Sequence, residues 1–287
     1  MKGEHFCNMN VELKIDEIGY WSEIKLEILA EYARLYNQIL HSNRLTSVYI
    51  DGFAGAGHHK AKGSERVIDG SPARALKAKP SFDEFHFVDM DPKRAGALSV
   101  LGAGRKNVHV YEGDCNQILV ERVFPQIKWE SFQRALCILD PYGLHLDWQV
   151  IKTAADSKVT EIFLNFPVMD MNMNVFWANP DRVTEASQIR MTRFWGDESW
   201  RQAAYGTVAG LFGDMQERNS IDRIAEAFQT RLKSAAGFGY VPNPIPMRNT
   251  KGAIVYFLFF ASQNATAHKI VKYIFEQTKK YGEVPNG

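Results

Sequence analysis

The run Ser47-Val-Tyr-Ile-Asp51-Gly-Phe-Ala-Gly55-Ala-Gly57 constrains this chain more than any other segment, because a short β-branched and aromatic strand breaks at an acid into a glycine-rich turn. In an open α/β sheet such a junction lets a nucleotide-like ligand approach backbone that carries no Cβ atoms. Spacing excludes two common versions. His58, His59 and Lys60 follow Gly57 where a dinucleotide fingerprint needs a third glycine to seat its helix under a pyrophosphate, and no Gly-Lys-Ser/Thr follows as in a P-loop. The segment then reads either as a different ligand loop or as a structural tight turn.

The strand, polar end, helix rhythm repeats downstream, as a doubly wound sheet requires. Phe85-His-Phe-Val-Asp89 is a strand with an acid at its tip, and Pro92 opens a helix. Asp89 is placed to accept hydrogen bonds from ribose hydroxyls, whereas Asp91 is expected to cap the helix. Val108-His-Val-Tyr-Glu-Gly-Asp114 offers a third acid, placed near an adenine amine. Ala135-Leu-Cys-Ile-Leu139 then ends in Asp140-Pro-Tyr-Gly143. Each acid alone also reads as a cap or turn residue; their recurrence at successive strand ends favours one shared site.

The strand, acid and Phe-Ala-Gly-Ala-Gly sequence resembles motif I of S-adenosylmethionine-dependent methyltransferases. More broadly, Tyr49–Gly57, Gly70-Ser-Pro72, Val88–Pro92, Gly113-Asp114, Leu139–Gly143, Leu164-Asn-Phe-Pro167, Pro246–Asn249 and Tyr256–Ala261 resemble the three-Cys-motif partner proteins, from about Trp21 to about Tyr281. The resemblance implies an α/β, Rossmann-like class I methyltransferase with a seven-stranded, mostly parallel sheet and a C-terminal antiparallel hairpin. It implies S-adenosylmethionine as cofactor, held by Asp51, Gly52, Phe53, Gly55, Gly57, Asp89, Met90, Asp114 and Cys115, and a partner protein that carries three cysteines. Asp140-Pro-Tyr-Gly143 is also similar to motif IV of tRNA guanine N2-methyltransferases and, more distantly, to the Asp-Pro-Pro-Tyr of adenine N6-methyltransferases. Here position 142 is Tyr, not Pro, and position 143 is Gly, not an aromatic residue, so the target base stays open.

The chemistry of such a segment can be stated independently of any family. An exocyclic purine amine is a poor nucleophile because its lone pair is delocalised into the ring, and acceptors on its N–H groups help it rehybridise. Asp140 would supply a carboxylate acceptor, Pro141 a fixed neighbouring carbonyl without a competing N–H, and Tyr142 a stacking surface for an extruded base. Asp-Pro-Tyr-Gly also fits a type I β-turn. The function expected is base N-methylation of guanine or adenine in a nucleic acid. The alternatives are a non-catalytic scaffold for the three-cysteine protein and a methyltransferase of proteins or small molecules.

A chain of 287 residues that is 45% apolar suits one α/β domain. Its longest apolar run, Ala253–Ala261, is too short to span a membrane, and Met1–Asn10 has no apolar signal core, so a cytoplasmic location without membrane association is expected. Cys7, Cys115 and Cys137 are dispersed, with no zinc spacing. A net charge of +1 gives no global attraction to nucleic acid, so binding would depend on local basic patches: Lys60, Lys62 and Arg66; the arginines of residues 168–220; Arg248 and Lys251.

Around this frame, a helix from Ser22 as cap to about Leu40 is expected to bury Ile28, Leu29, Tyr32, Leu35, Tyr36 and Ile39. Residues 58–69 read as a solvated loop, with Ser71 capping the next helix and Pro72 at its first position. Residues 168–220 read as a mainly helical insertion over the site. Its Arg182, Arg190, Arg193 and Arg201 lie among Phe176, Trp177, Phe194, Trp195 and Trp200, either to stack bases or as a cap with the aromatics turned inward. Gly239-Tyr-Val reads as a strand before a proline-rich connection, and Asn264 caps the closing helix.

Overall fold

Strands buried on both faces organise the chain. The structure, a computed structural model, describes residues 16–210, 213–249 and 251–282. Five parallel strands, β1 (Thr46–Asp51), β2 (Glu84–Asp89), β3 (Val108–Glu112), β4 (Gln133–Leu139) and β5 (Thr160–Phe166), are joined by a hairpin of β6 (Ile245–Arg248) and β7 (Ile254–Ala261). Their order is β6-β7-β5-β4-β1-β2-β3, and β7 runs antiparallel to both of its neighbours. Alternate residues face opposite layers: Tyr49, Phe85, Phe87, Leu136 and Ile138 pack with one set of helices, and Val48, Ile50, Val88, Cys137 and Leu139 with the other.

The first layer contains α1 (Tyr20–Ser42), α2 (Ser71–Lys77), α3 (Pro92–Leu101) and the closing helix Ala265–Gly282. The α1 stripe is shifted from the one expected. The helix begins after Gly19 instead of Ser22, buries Ile24, Leu40 and also Lys25 and Asn37, and leaves Ile39 exposed. Asn264 does cap the closing helix, accepting from the Thr266 N–H at 2.8 Å.

The opposite layer contains residues 115–126, the helix Trp148–Asp156 and the insertion. Phe176, Phe194, Trp195 and Trp200 are buried, so these aromatics turn inward. Arg193 pairs with Asp147, and Arg201 with Glu198. The insertion is less helical than expected. After three α-helices, Val168–Asn174, Glu185–Trp195 and Trp200–Ala204, and one 3-10 turn, Pro180–Arg182, it forms a β-hairpin, Tyr205–Gly210 with Gly213–Arg218, before the helix Ile221–Arg231.

Two further expectations are corrected. Residues 58–69 form an antiparallel pair, His58–Ala61 with Val67–Asp69, which Glu17–Ile18 joins as a third strand, because Ile68 and Ala61 find a small apolar cluster with Leu26. Gly239-Tyr-Val contributes only an isolated bridge from Tyr240 to Ser262. The strand expected there lies instead at Ile245–Arg248, where Pro246 is tolerated because β6 is an edge.

No helix among the described residues is long and apolar enough to cross a membrane. Cys115 and Cys137 are buried free thiols, and Cys7 lies outside the described residues.

Candidate active site

The chain leaves β1 toward β2 and β3 on one side, then crosses to β4 and β5 on the other, so the sheet's switch point lies between β1 and β4. Open α/β sheets form a crevice there, outside the carboxyl strand ends. Asp51 is level with Phe87 of β2 and Ile138 of β4 in the ladder, so Asp89 and Asp140 each stand two residues beyond it. Parallel pairing thus gathers Asp51, Asp89, Asp140 and Asn165 at the carboxyl end of the sheet.

The glycine turn is threaded through this end. The Gly52 N–H donates to the Ile138 carbonyl and the Ala54 N–H to the Val88 carbonyl, both at 2.9 Å. A Cβ on Gly52 would meet Cys115 Sγ at 2.9 Å, which explains why glycine stands there and Cys115 is buried behind it. Gly55 and Gly57 adopt φ of +63° and +81°. A Cβ on Gly55 would enter open space, whereas one on Gly57 would lie 2.7 Å from Leu101 Cδ2.

Asp51 is fully buried: Oδ1 accepts from the Phe53 N–H at 3.2 Å, and Oδ2 from Ser71 Oγ at 2.6 Å. Burial pushes its carboxyl up to about 7 against these hydrogen bonds. The Ser71 hydroxyl is therefore committed to Asp51, and α2 starts after Gly70 without a side-chain cap. Asp89 Oδ2 accepts from the Gly55 N–H at 2.8 Å and Oδ1 from the Asp91 N–H at 2.9 Å, so it braces the glycine turn. Asp91 caps α3 as expected, accepting from Lys93 and Arg94. Asp114 caps the short helix Cys115–Ile118 through Asn116. Met90 is exposed beside Asp89.

Asp140 is held from outside its own segment. Its Oδ2 pairs with the Lys25 ammonium of α1, and its Oδ1 accepts from Asn165 Nδ2 of β5 at 2.7 Å. Lys25 also lies 5.2 Å from the ring centroid of Tyr256 on β7. Burial alone would lower the Lys25 ammonium, but Asp140, aided by Tyr256 and Asp51, outweighs it and keeps the lysine protonated. Among the described residues no backbone bond runs from the Gly143 N–H to the Asp140 carbonyl, so the segment is a bend and not a closed turn. Gly143, at φ +56°, lets the bend pass Asp170, which accepts from the Leu144 N–H at 3.2 Å. Tyr142 points outward, 70% exposed, with the Arg94 guanidinium 6.0 Å from its ring centroid.

Sequence reasoning missed Lys25, Asn165, Ser71 and Tyr256 as members of this cluster. Lys25 left a signal: it lies on the same helical stripe as Ile28, Leu29, Tyr32 and Tyr36, an apolar face where a lysine needs a buried partner. Among the described residues no group of three or more His, Cys, Asp or Glu side chains could hold a metal ion.

No family model and no curated protein matches the sequence. Among solved structures, protein LPL1258 from Legionella pneumophila aligns over 92% of this chain and 92% of its own, with a TM-score of 0.50 and 11% identity. An S-adenosylmethionine-dependent methyltransferase from Mesorhizobium loti aligns over 76% and 90%, with a TM-score of 0.38 and 9% identity. An rRNA methylase from Streptococcus thermophilus aligns over 83% and 93%, with a TM-score of 0.34 and 12% identity. Seven strands in the order seen here, with only the last one reversed, make up the Rossmann-like class I methyltransferase fold, and this chain has that fold.

Proposed function

We propose that the chain is an S-adenosylmethionine-dependent methyltransferase whose acceptor is an exocyclic amine of a guanine or adenine base in a nucleic acid. The observation that carries this reading is Asp140, clamped by Lys25 and Asn165, beside an open glycine turn at the sheet's switch point. The turn fits the cofactor: Gly55 leaves free space where a side chain would stand, and Asp89 keeps lone pairs beyond the two backbone donors it serves. Gly55, Gly57, Asp89 and Asp114 would hold the nucleoside portion. Asp51, Gly52 and Cys115 shape the loop from behind. When bound, the cofactor supplies an electrophilic methyl group on a sulfonium.

Asp140 would accept an N–H of the incoming amine through the lone pairs that Lys25 and Asn165 leave free, since its side chain remains 36% exposed. This bond moves electron density onto the nitrogen and orients it. Tyr142, exposed at the rim, would stack on the base. Of the basic side chains expected to bind nucleic acid, Lys60 pairs with Glu65, Arg66 with Glu23, Arg193 with Asp147 and Arg201 with Glu198, which reduces the charge they offer a phosphate backbone.

Occupation of both Asp140 oxygens by protein donors favours a second reading, in which the chain is a non-catalytic scaffold for a three-cysteine partner protein. Transfer of labelled methyl groups to total RNA and unmethylated DNA, with and without such a partner, distinguishes the two. Asp140→Ala is expected to lower transfer by about 100-fold or more while cofactor affinity stays within a few fold. Tight cofactor binding with no labelling of either nucleic acid under any condition would overturn the base-methyltransferase reading.

A further inference from the structure

The residue that holds Asp140 comes from outside the sheet. Lys25 is on α1, ahead of the first sheet strand, and its ammonium is buried between Asp140 and the Tyr256 ring. Burying a lysine is costly unless its charge is paired, and the carboxylate at Asp140 meets that requirement. The other charged or titratable groups that act on this pair are Asp51 at the end of β1, His59 of the strand His58–Ala61 and Tyr256 on β7. Burial and the Lys25 charge lower the His59 imidazole from its ordinary value, and Asp51 is tied to Ser71 and Phe53. Neither offers Asp140 a competing cation, and Asn165 supplies the remaining donor.

We propose that Lys25 is a positioning residue which, with Asn165, locks the Asp140 carboxylate in one orientation and thereby restricts the methyl acceptor to neutral N–H donors. The inference rests on the reading of Asp140 as the group that faces the acceptor. A carboxylate fixed in this way has only acceptor sites to present. It would orient an amine and repel an anionic nucleophile such as a carboxylate or thiolate. It also makes α1 a working part of the site, because withdrawal of that helix would release Asp140.

The test compares Lys25→Met, Lys25→Gln and Lys25→Arg with the wild type by three readouts. The first, which needs no substrate, is the side-chain amide NMR signal of Asn165, assigned as the pair missing from Asn165→Asp. The second is affinity for S-adenosylhomocysteine, and the third is the kcat and KM of methyl transfer. In Lys25→Met the Asn165 pair should move toward free-amide shifts and kcat should fall about 10- to 100-fold, with cofactor affinity little changed; Lys25→Arg should restore both in part. Lys25→Gln, which keeps a donor without the charge, serves if the Met variant fails to fold. An Asn165 signal identical in wild type, Met and Gln variants would overturn the positioning role. Absence of methyl transfer by the wild type would instead overturn the functional reading, and the NMR arm would still decide the role of Lys25.

Discussion

Tyr32 of α1 donates its hydroxyl to the buried Glu161 carboxylate at the start of β5, at the far end of that strand from Asn165. Ser262 of the segment after β7 donates to the other oxygen at 3.0 Å. The helix that delivers Lys25 to Asp140 is thus fastened to the sheet a second time, two turns along. Burial lifts the Glu161 carboxyl from 4.5 to about 7, against these two hydrogen bonds.

That shift has a direction in pH. Glu161, and Asp51 with its own rise from 3.8 to about 7, bind protons more tightly in the folded chain than in the unfolded one. Their contribution is therefore full below the unfolded values and is lost as pH rises toward about 7, by roughly 3 kcal/mol for Glu161. Glu161→Gln keeps one acceptor and removes the titration. Its melting temperature should decline less than that of the wild type between about pH 5 and pH 8, and should match or exceed it at the upper end. Parallel declines in the two proteins would show that Glu161 does not titrate in this window.

Gly55 and Gly57 should separate binding from stability. Gly57→Ala combines left-handed backbone with a contact that the Leu101 side chain must yield to, and should cost about 1 to 3 kcal/mol in denaturant unfolding. Gly55→Ala carries only the backbone penalty, about 1 to 2 kcal/mol, but places a methyl group in the space assigned to the ligand. Calorimetric titration with S-adenosylhomocysteine should find Gly55→Ala folded and at least tenfold weaker in binding. Unimpaired binding would move the ligand away from this turn.

Asp89 acts both as a brace and as the proposed ribose acceptor. Asp89→Asn keeps a partner for one of the two backbone N–H groups, so S-adenosylhomocysteine affinity should fall about 10- to 100-fold and the melting temperature should drop less than in Asp89→Ala. Asp89→Ala should lose both. Equal affinity in wild type and Asp89→Asn would confine Asp89 to holding Gly55.

The sequence by itself determined what local chemistry controls. Apolar, β-branched and aromatic runs set the strands, proline and Asp91 set the start of α3, and an acid stood at each of several successive strand ends before any pairing was known. It misplaced elements whose partners are distant. The hairpin at residues 58–69 needs Glu17–Ile18 and Leu26 beside it, and the edge strand at Ile245–Arg248 exists only because β7 is there to pair with it. Ser71 looked like a cap because its use by Asp51, twenty positions earlier, is a tertiary contact. The same holds for Asp140: the sequence supplied the acid and its bend, but Lys25, 115 positions away, and Asn165, 25 away, reach it only after the sheet has closed and α1 has docked. Residue type and spacing decide which side chains are available at a strand end; the free energy of burying a charge decides which of them must meet, and only the folded chain settles that.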